Sequence, residues 1–165
     1  LILIALVIAA EITHLMWEHF HGGVRTHHFL KRADMPGLSN GWGLLLLPAL
    51  TWFLIGRIQQ RSAVLAMPII IGFVSALMLG VALSAAFTVG NENISAIIFF
   101  SILLSAVGLP VYRAECVLAF IFGMTFTFGA ILPTFIASVI AAISAAAHIF
   151  VYPALGRAWR WLRHR

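Results

Sequence analysis

Between Ser62 and Leu109 the chain carries a single ionisable side chain, Glu92. Such a stretch cannot form the surface of a soluble domain, because a water-facing surface needs charged and polar groups that it lacks. Across all 165 residues only 9% are charged and 62% are hydrophobic, with a mean hydropathy of +1.06. Soluble domains carry roughly 25% charged residues. Long apolar runs divided by short polar breaks therefore predict an all-α, polytopic transmembrane bundle, since in hydrocarbon a helix satisfies its own backbone hydrogen bonds.

Runs and breakers place six spans in a single transmembrane domain, at about 1–21, 41–56, 62–88, 94–109, 116–132 and 134–152. The last two come from one run, Cys116 to Tyr152, which as a single helix would be on the order of 55 Å long against a hydrocarbon core of about 30 Å. Gly129-Ala-Ile-Leu-Pro133 supplies the break. The second span is short and contains Pro48, so a kinked or re-entrant segment is an alternative there. The leading run Leu1–Ala10 reads as the start of the first span and not as a signal peptide, because no basic residues precede it and the pattern continues into Glu11 and His14. A short initiating segment is expected ahead of it.

Basic residues set the orientation. Arg57 and Arg61 flank the second loop, Arg113 lies in the fourth, and Arg157, Arg160, Arg163 and Arg165 fill the tail. With six spans these places share one side, which the enrichment of cytoplasmic loops in Lys and Arg makes cytoplasmic, with both termini there. The loop Val89-Gly-Asn-Glu-Asn93 has no base, as an outer loop should; the first loop is an exception, with Arg25, Lys31 and Arg32 partly offset by Glu18 and Asp34. The expected location is a cell membrane, the bacterial inner membrane, with lipids as partners and an oligomer left open. The sequence pI of about 10.7 arises at segment ends and implies no nucleic-acid partner; Trp159 and Trp161 among the tail arginines suit an anionic headgroup layer. Cys116 stands alone, which removes disulfide and zinc-thiolate chemistry.

The remaining ionisable residues are unevenly placed. His14, His19, His21, His27 and His28 share the stretch from Glu11 to Asp34 with Glu18. An ionisable group at the centre of a membrane helix costs about 2.5 to 3.5 kcal/mol, so such groups face the protein interior and serve a function there. Glu11, His14, Glu18 and His21 are three, four and three residues apart. At ~100° per residue they share a stripe about 80° wide, while His19 points off it. Glu11-x-x-His14 and Glu18-x-x-His21 have the spacing that brings a carboxylate and an imidazole to one point in di-metal bundles. The expected roles are Glu11 and Glu18 as general bases, with His14, His19, His21, His27, His28 and Asp34 as ligands of a divalent transition metal, Zn, Fe or Mn. The same residues also admit a metal-free proton or substrate site, or pairs that merely satisfy each other. Gly22-Gly23 should end the helix, and Ser39 or Asn40 should cap the second span. His148 should lie far from this cluster, bonded to a backbone carbonyl or sharing a small pocket with Tyr152 and Glu115. Small residues in the last span, Ala141-Ala142 and Ser144-Ala145-Ala146-Ala147, should allow close helix packing.

His14-x4-His19 followed by His27-His28 resembles the histidine boxes of integral-membrane fatty acid hydroxylases and desaturases. That resemblance implies two irons, but those enzymes need a further His-x-x-His-His box that nothing after His28 supplies, so it assigns no ligand. Three functions follow as expectations: a metal-dependent enzyme acting on a lipid or amphiphile at the extracytoplasmic surface; a small transporter or channel for a metal ion or protons; and a non-catalytic or haem-binding subunit. A conduction path needs polar groups at several depths, and the third to fifth spans offer isolated Ser and Thr only. Haem held between two spans would need His148 at the depth of His14. The first function is therefore preferred.

Overall fold

The computed structural model describes residues 1–23, 26–28, 37–61 and 66–163. The apolar runs form helices α1 (Ile2–Phe20), α2 (Gly43–Arg61), α3 (Met67–Val89), α4 (Glu92–Gly108), α5 (Ala114–Phe128) and α6 (Ile131–Ala146). A π-helical turn, Ala147–Val151, leads from α6 into α7 (Tyr152–Arg163). Four helical stretches are long and apolar enough to cross a membrane: Ile2–Phe20, Asn40–Arg61, Met67–Val89 and Ile131–Trp161; α4 and α5 are shorter apolar helices. Between α1 and α2 lies a short antiparallel ribbon, β1 (Thr26–His28) and β2 (Gly37–Ser39), with His27 opposite Leu38 and His28 opposite Gly37.

Two expected boundaries move. The second span is not short: α2 runs through Pro48 and past Gly56 to Arg61 without a break. Arg57 and Arg61 do not stop it, because long basic side chains carry their charge away from the helix axis, and Arg61 finds a partner in Glu115 at 2.7 Å. The last helical stretch likewise continues past Tyr152. Pro153 comes just after the π-helical turn Ala147–Val151, where the hydrogen-bond ladder is already widened and a missing N–H is accommodated, and Ala154, Leu155 and Arg157 favour helix beyond it. The break between α5 and α6 falls at Gly129–Ala130, within the Gly129–Pro133 segment but ahead of the expected boundary, and Pro133 lies in the first turn of α6, where its missing N–H costs no helical hydrogen bond. Gly129 there has φ 68°, a left-handed conformation suited to glycine.

Helix directions follow from the contacts. Along α3 and α5, Cys116 Sγ lies 3.7 Å from the Gly72 carbonyl, Ser84 donates to the Gly123 carbonyl at 3.2 Å, and the Phe87 and Phe128 rings meet at 5.3 Å, so these two helices run parallel. Their backbones touch. A Cβ on Gly80 would lie 2.8 Å from the Phe120 carbonyl oxygen, and one on Gly123 would lie 2.7 Å from that of Leu77. Helix α2 runs the opposite way beside α5, with Arg61 at Glu115 and Asn40 packed on Gly129. The bundle therefore has a ribbon end, at the C-terminus of α1, and a basic end, at Arg61. Leu47, Leu83, Ile102, Phe120, Ile121 and Met124 are central to the core. Outward positions such as Ile71, Met78, Ile97, Phe100 and Leu104 are apolar and exposed, as a lipid-facing surface requires.

Candidate functional site

Helix α1 is exposed along most of its length, and the two residues it buries are carboxylates, Glu11 at 4% and Glu18 at 2% exposure. Helical spacing sets His14 between them. Its Nδ1 lies 4.0 Å from Glu11 Oε2 and its Nε2 lies 3.6 Å from Glu18 Oε1. The imidazole thus has a carboxylate at each nitrogen, and the Phe126 ring lies 5.0 Å away.

Asn40 completes the group by donating its side-chain N–H to Glu18 Oε1 at 2.7 Å. The ribbon and the 3₁₀ turn after it, Asn40–Trp42, bring Asn40 there, while Ser39 caps that turn by accepting the Gly41 N–H at 3.2 Å. Two glycines make room: a methyl at Gly129 would strike the Asn40 amide, and one at Gly43 would strike the Glu11 carboxylate. Gly43 opens α2, so the positive end of that helix dipole faces Glu11.

A cleft of about 350 Å³ runs from this group along α1. Leu6, Val7 and Ala10 of α1, Leu47 of α2, and Phe122 and Phe126 of α5 form its apolar walls, and Glu11 and His14 form its polar end beside Thr125. Phe126 and Leu6 are exposed, so the cleft opens sideways, on the surface that hydrocarbon would cover. Glu11 Oε1 is buried and has no hydrogen-bond partner among the described residues. Groups of that kind are rare in native proteins and mark places where a water, an ion or a ligand supplies the missing donor.

Of the residues singled out by spacing, the structure brings together Glu11, His14 and Glu18. The helix ends at Phe20, so His21 leaves the stripe; its Nδ1 lies 2.8 Å from the Trp17 carbonyl and its ring stacks on the Trp17 indole at 4.7 Å. His19 is exposed, with its ring edge against Phe20 at 5.6 Å. His27 and His28 lie in β1, and Asp34 lies outside the described residues. Among the described residues no three His, Cys, Asp or Glu side chains are arranged to hold a metal ion.

Spacing on one helix could not reveal Asn40, Gly43, Gly129 or the α5 wall. Asn40 leaves one trace: it is a polar residue in Ser39-Asn-Gly-Trp-Gly43, where an apolar run begins, a place that by itself suggests only a cap. At the basic end, Glu115 is 1% exposed and pairs with Arg61. His148 Nδ1 lies 2.9 Å from the Ser144 carbonyl, and its ring lies 5.9 Å from Tyr112 and 5.1 Å from Tyr152. The backbone-bonded alternative thus describes His148, and Glu115 has a different partner.

The chain matches no family model, no curated protein and no solved structure. Its function has to be read from the chemistry of the site.

Proposed function

We propose that the protein is an integral membrane protein of six spans with both termini cytoplasmic, in which Glu11, His14, Glu18 and Asn40 form an acid–base site for an amphiphilic or lipid substrate entering from the bilayer. One observation carries this reading. A half-buried imidazole flanked by two buried carboxylates, 4.0 and 3.6 Å from its nitrogens, stands at the polar end of a cleft whose walls among the described residues are otherwise apolar.

Glu11 and His14 border the cleft and are the groups that would touch substrate. Glu18, fixed by Asn40 and 3.6 Å from the Nε2 of His14, would be the positioning carboxylate that orients the ring. An imidazole with one nitrogen on an orienting carboxylate can take a proton at the other, which is general acid–base catalysis. Of the ligands expected for a metal, His14 is the one that the described residues place in this group, beside the two carboxylates expected as bases, and we therefore propose the metal-free form of the site. Stoichiometric Zn, Fe or Mn in protein purified without chelators, and lost from His14→Ala, would replace that form with the metal-dependent one.

The test begins with the purified protein. Solvent extraction and mass spectrometry should find a class of amphiphile enriched over the host membrane in wild type and lost from Glu11→Ala and His14→Ala at unchanged helicity. Wild type that retains no class above the membrane background, or variants that retain it unchanged, would overturn the reading.

Proton transport is a second reading, favoured by one observation. Beside Glu11 Oε1, the buried oxygens without a partner among the described residues are Thr51 Oγ1 and Glu115 Oε2. Thr51 lies on the buried face of α2 between the two ends of the bundle. Leu47 and Leu54, buried and apolar, share that face. Proton flux in liposomes that depends on Thr51 would promote this reading; no flux above empty liposomes would remove it.

A further inference from the structure

The cleft has a direction as well as a composition. Its polar end, Glu11 and His14, lies towards the ribbon end of the bundle, and its apolar end, Leu6 and Val7, lies deeper along α1. From Leu6 to His14 is about 12 Å along the helix, the length of a substantial piece of alkyl chain. An amphiphile in the leaflet at the ribbon end has that same polarity, with its head at the surface and its tail towards the midplane.

The polar end also has a sign. Glu11 Oε1 is a buried acceptor that lacks a donor. Two carboxylates face one imidazole, so the group offers an anion no excess of positive charge. Among the described residues no Arg or Lys lines the cleft. The described arginines of α2, Arg57 and Arg61, lie ten and fourteen residues beyond Leu47, at least about 15 Å along the axis. Among the described residues a phosphate brought here would meet two carboxylates and no Arg or Lys, whereas a hydroxyl or ammonium would give Glu11 the hydrogen bond it lacks.

Resting on the amphiphile reading of this site, we infer that the cleft takes long-chain amphiphiles with a hydrogen-bond-donating head free of negative charge, an alcohol or an amine, from the leaflet at the ribbon end, and rejects phosphate-headed lipids. The shared chemistry is the donor, and Glu11 is its acceptor.

The experiment uses the full chain in phosphatidylcholine nanodiscs, whose headgroups have no donor of their own, and dodecyl probes that carry a diazirine on the chain and end in a hydroxyl, an amine or a phosphate. Crosslinks are mapped by mass spectrometry. Hydroxyl and amine probes should label the segments that hold Leu6, Val7, Phe122 and Phe126, about tenfold more than the phosphate probe does, the factor that one hydrogen bond to a charged group provides. Labelling by one donor probe alone also supports the inference and decides between alcohol and amine. Glu11→Ala should bring donor-probe labelling down to the phosphate level. Ala10→Trp fills the cleft while keeping both carboxylates in the chain and should abolish labelling by every probe. Equal labelling by all three heads, insensitive to Glu11→Ala yet lost in Ala10→Trp, would overturn the assignment of the head while leaving an amphiphile site. Wild-type labelling no higher than that of Ala10→Trp would overturn both.

Discussion

Asn40 and Gly129 act on one contact, and their variants should show it. Asn40→Ala removes the amide that reaches Glu18 at 2.7 Å and leaves a buried carboxylate one donor short, a loss of about 1–3 kcal/mol. Gly129→Ala places a methyl against the same amide and strains a backbone whose φ is 68°, a cost on the order of 1–3 kcal/mol. Once Asn40 has been shortened, the methyl at residue 129 has less to strike. The double variant should therefore lose clearly less stability than the sum of the single losses, as measured by unfolding in one detergent. Strict additivity would show that Gly129 matters for its backbone alone. At this scale the sequence disclosed what lies on a single helix. Three- and four-residue spacing converts directly into a face, so Glu11, His14 and Glu18 were legible. His21 was not, since the stripe assumes a helix that in fact ends one residue earlier. Asn40 is 22 positions from Glu18, and no periodicity connects residues across a turn and a ribbon.

Small residues were expected to bring helices together in the last span, but the closest approach lies elsewhere. Gly80 and Gly123 let the backbones of α3 and α5 touch, and each is isolated in a run of larger residues, so composition gave no hint of them. In a bilayer, where hydrophobicity does not drive helices together, such backbone contact is a main source of association. Gly123→Ala should cost about 1–3 kcal/mol, because its methyl meets backbone that cannot rotate away. Gly56→Ala, where a Cβ meets nothing within 4 Å, should be neutral or gain up to about 1 kcal/mol from helix propensity. Thermal unfolding of the two variants in one detergent checks the pair, and equal effects would remove the crossing from the account. A similar contrast separates the arginines of α2. Arg61→Ala leaves Glu115 buried without its cation, whereas Arg57→Ala removes a contact over the Phe53 ring at 5.4 Å. Arg61→Ala should be the more destabilising of the two, although half-exposure of the guanidinium limits the difference. Charge bounds the apolar run of α2 near Gly56, so the sequence gives no sign of the last turn; the partner of Arg61 in that turn lies 54 positions away.

For the whole molecule, length alone qualifies four helical stretches as spans, and six depend on α4 and α5. The larger number is the one we propose, from the way α5 lies along α2. Helix α5 meets Arg61 of α2 through Glu115 at one end, and Gly129, which closes it, meets Asn40 just ahead of α2 at the other. It therefore covers the same depth as α2, and a bilayer crossed by one is crossed by both. On the proposed six-span reading α4 crosses as well, which gives an even number of crossings before α5. In a Cys116→Ala background, single cysteines at Asn93, Leu109 and Arg157 test this with a membrane-impermeant maleimide. Six spans with cytoplasmic termini predict labelling of the residue 93 site from outside, and of the 109 and 157 sites only after the inner face is exposed. Four spans, with α4 and α5 dipping in from outside, would leave the residue 109 site inside the hydrocarbon and unlabelled from either face. The inverse pattern at 93 and 157 would reverse the orientation, placing the Glu11 cluster and the leaflet it draws from on the cytoplasmic side. The outcome thus fixes which membrane surface supplies the substrate, a question that the bases Arg25, Lys31 and Arg32 in the first loop make more than formal.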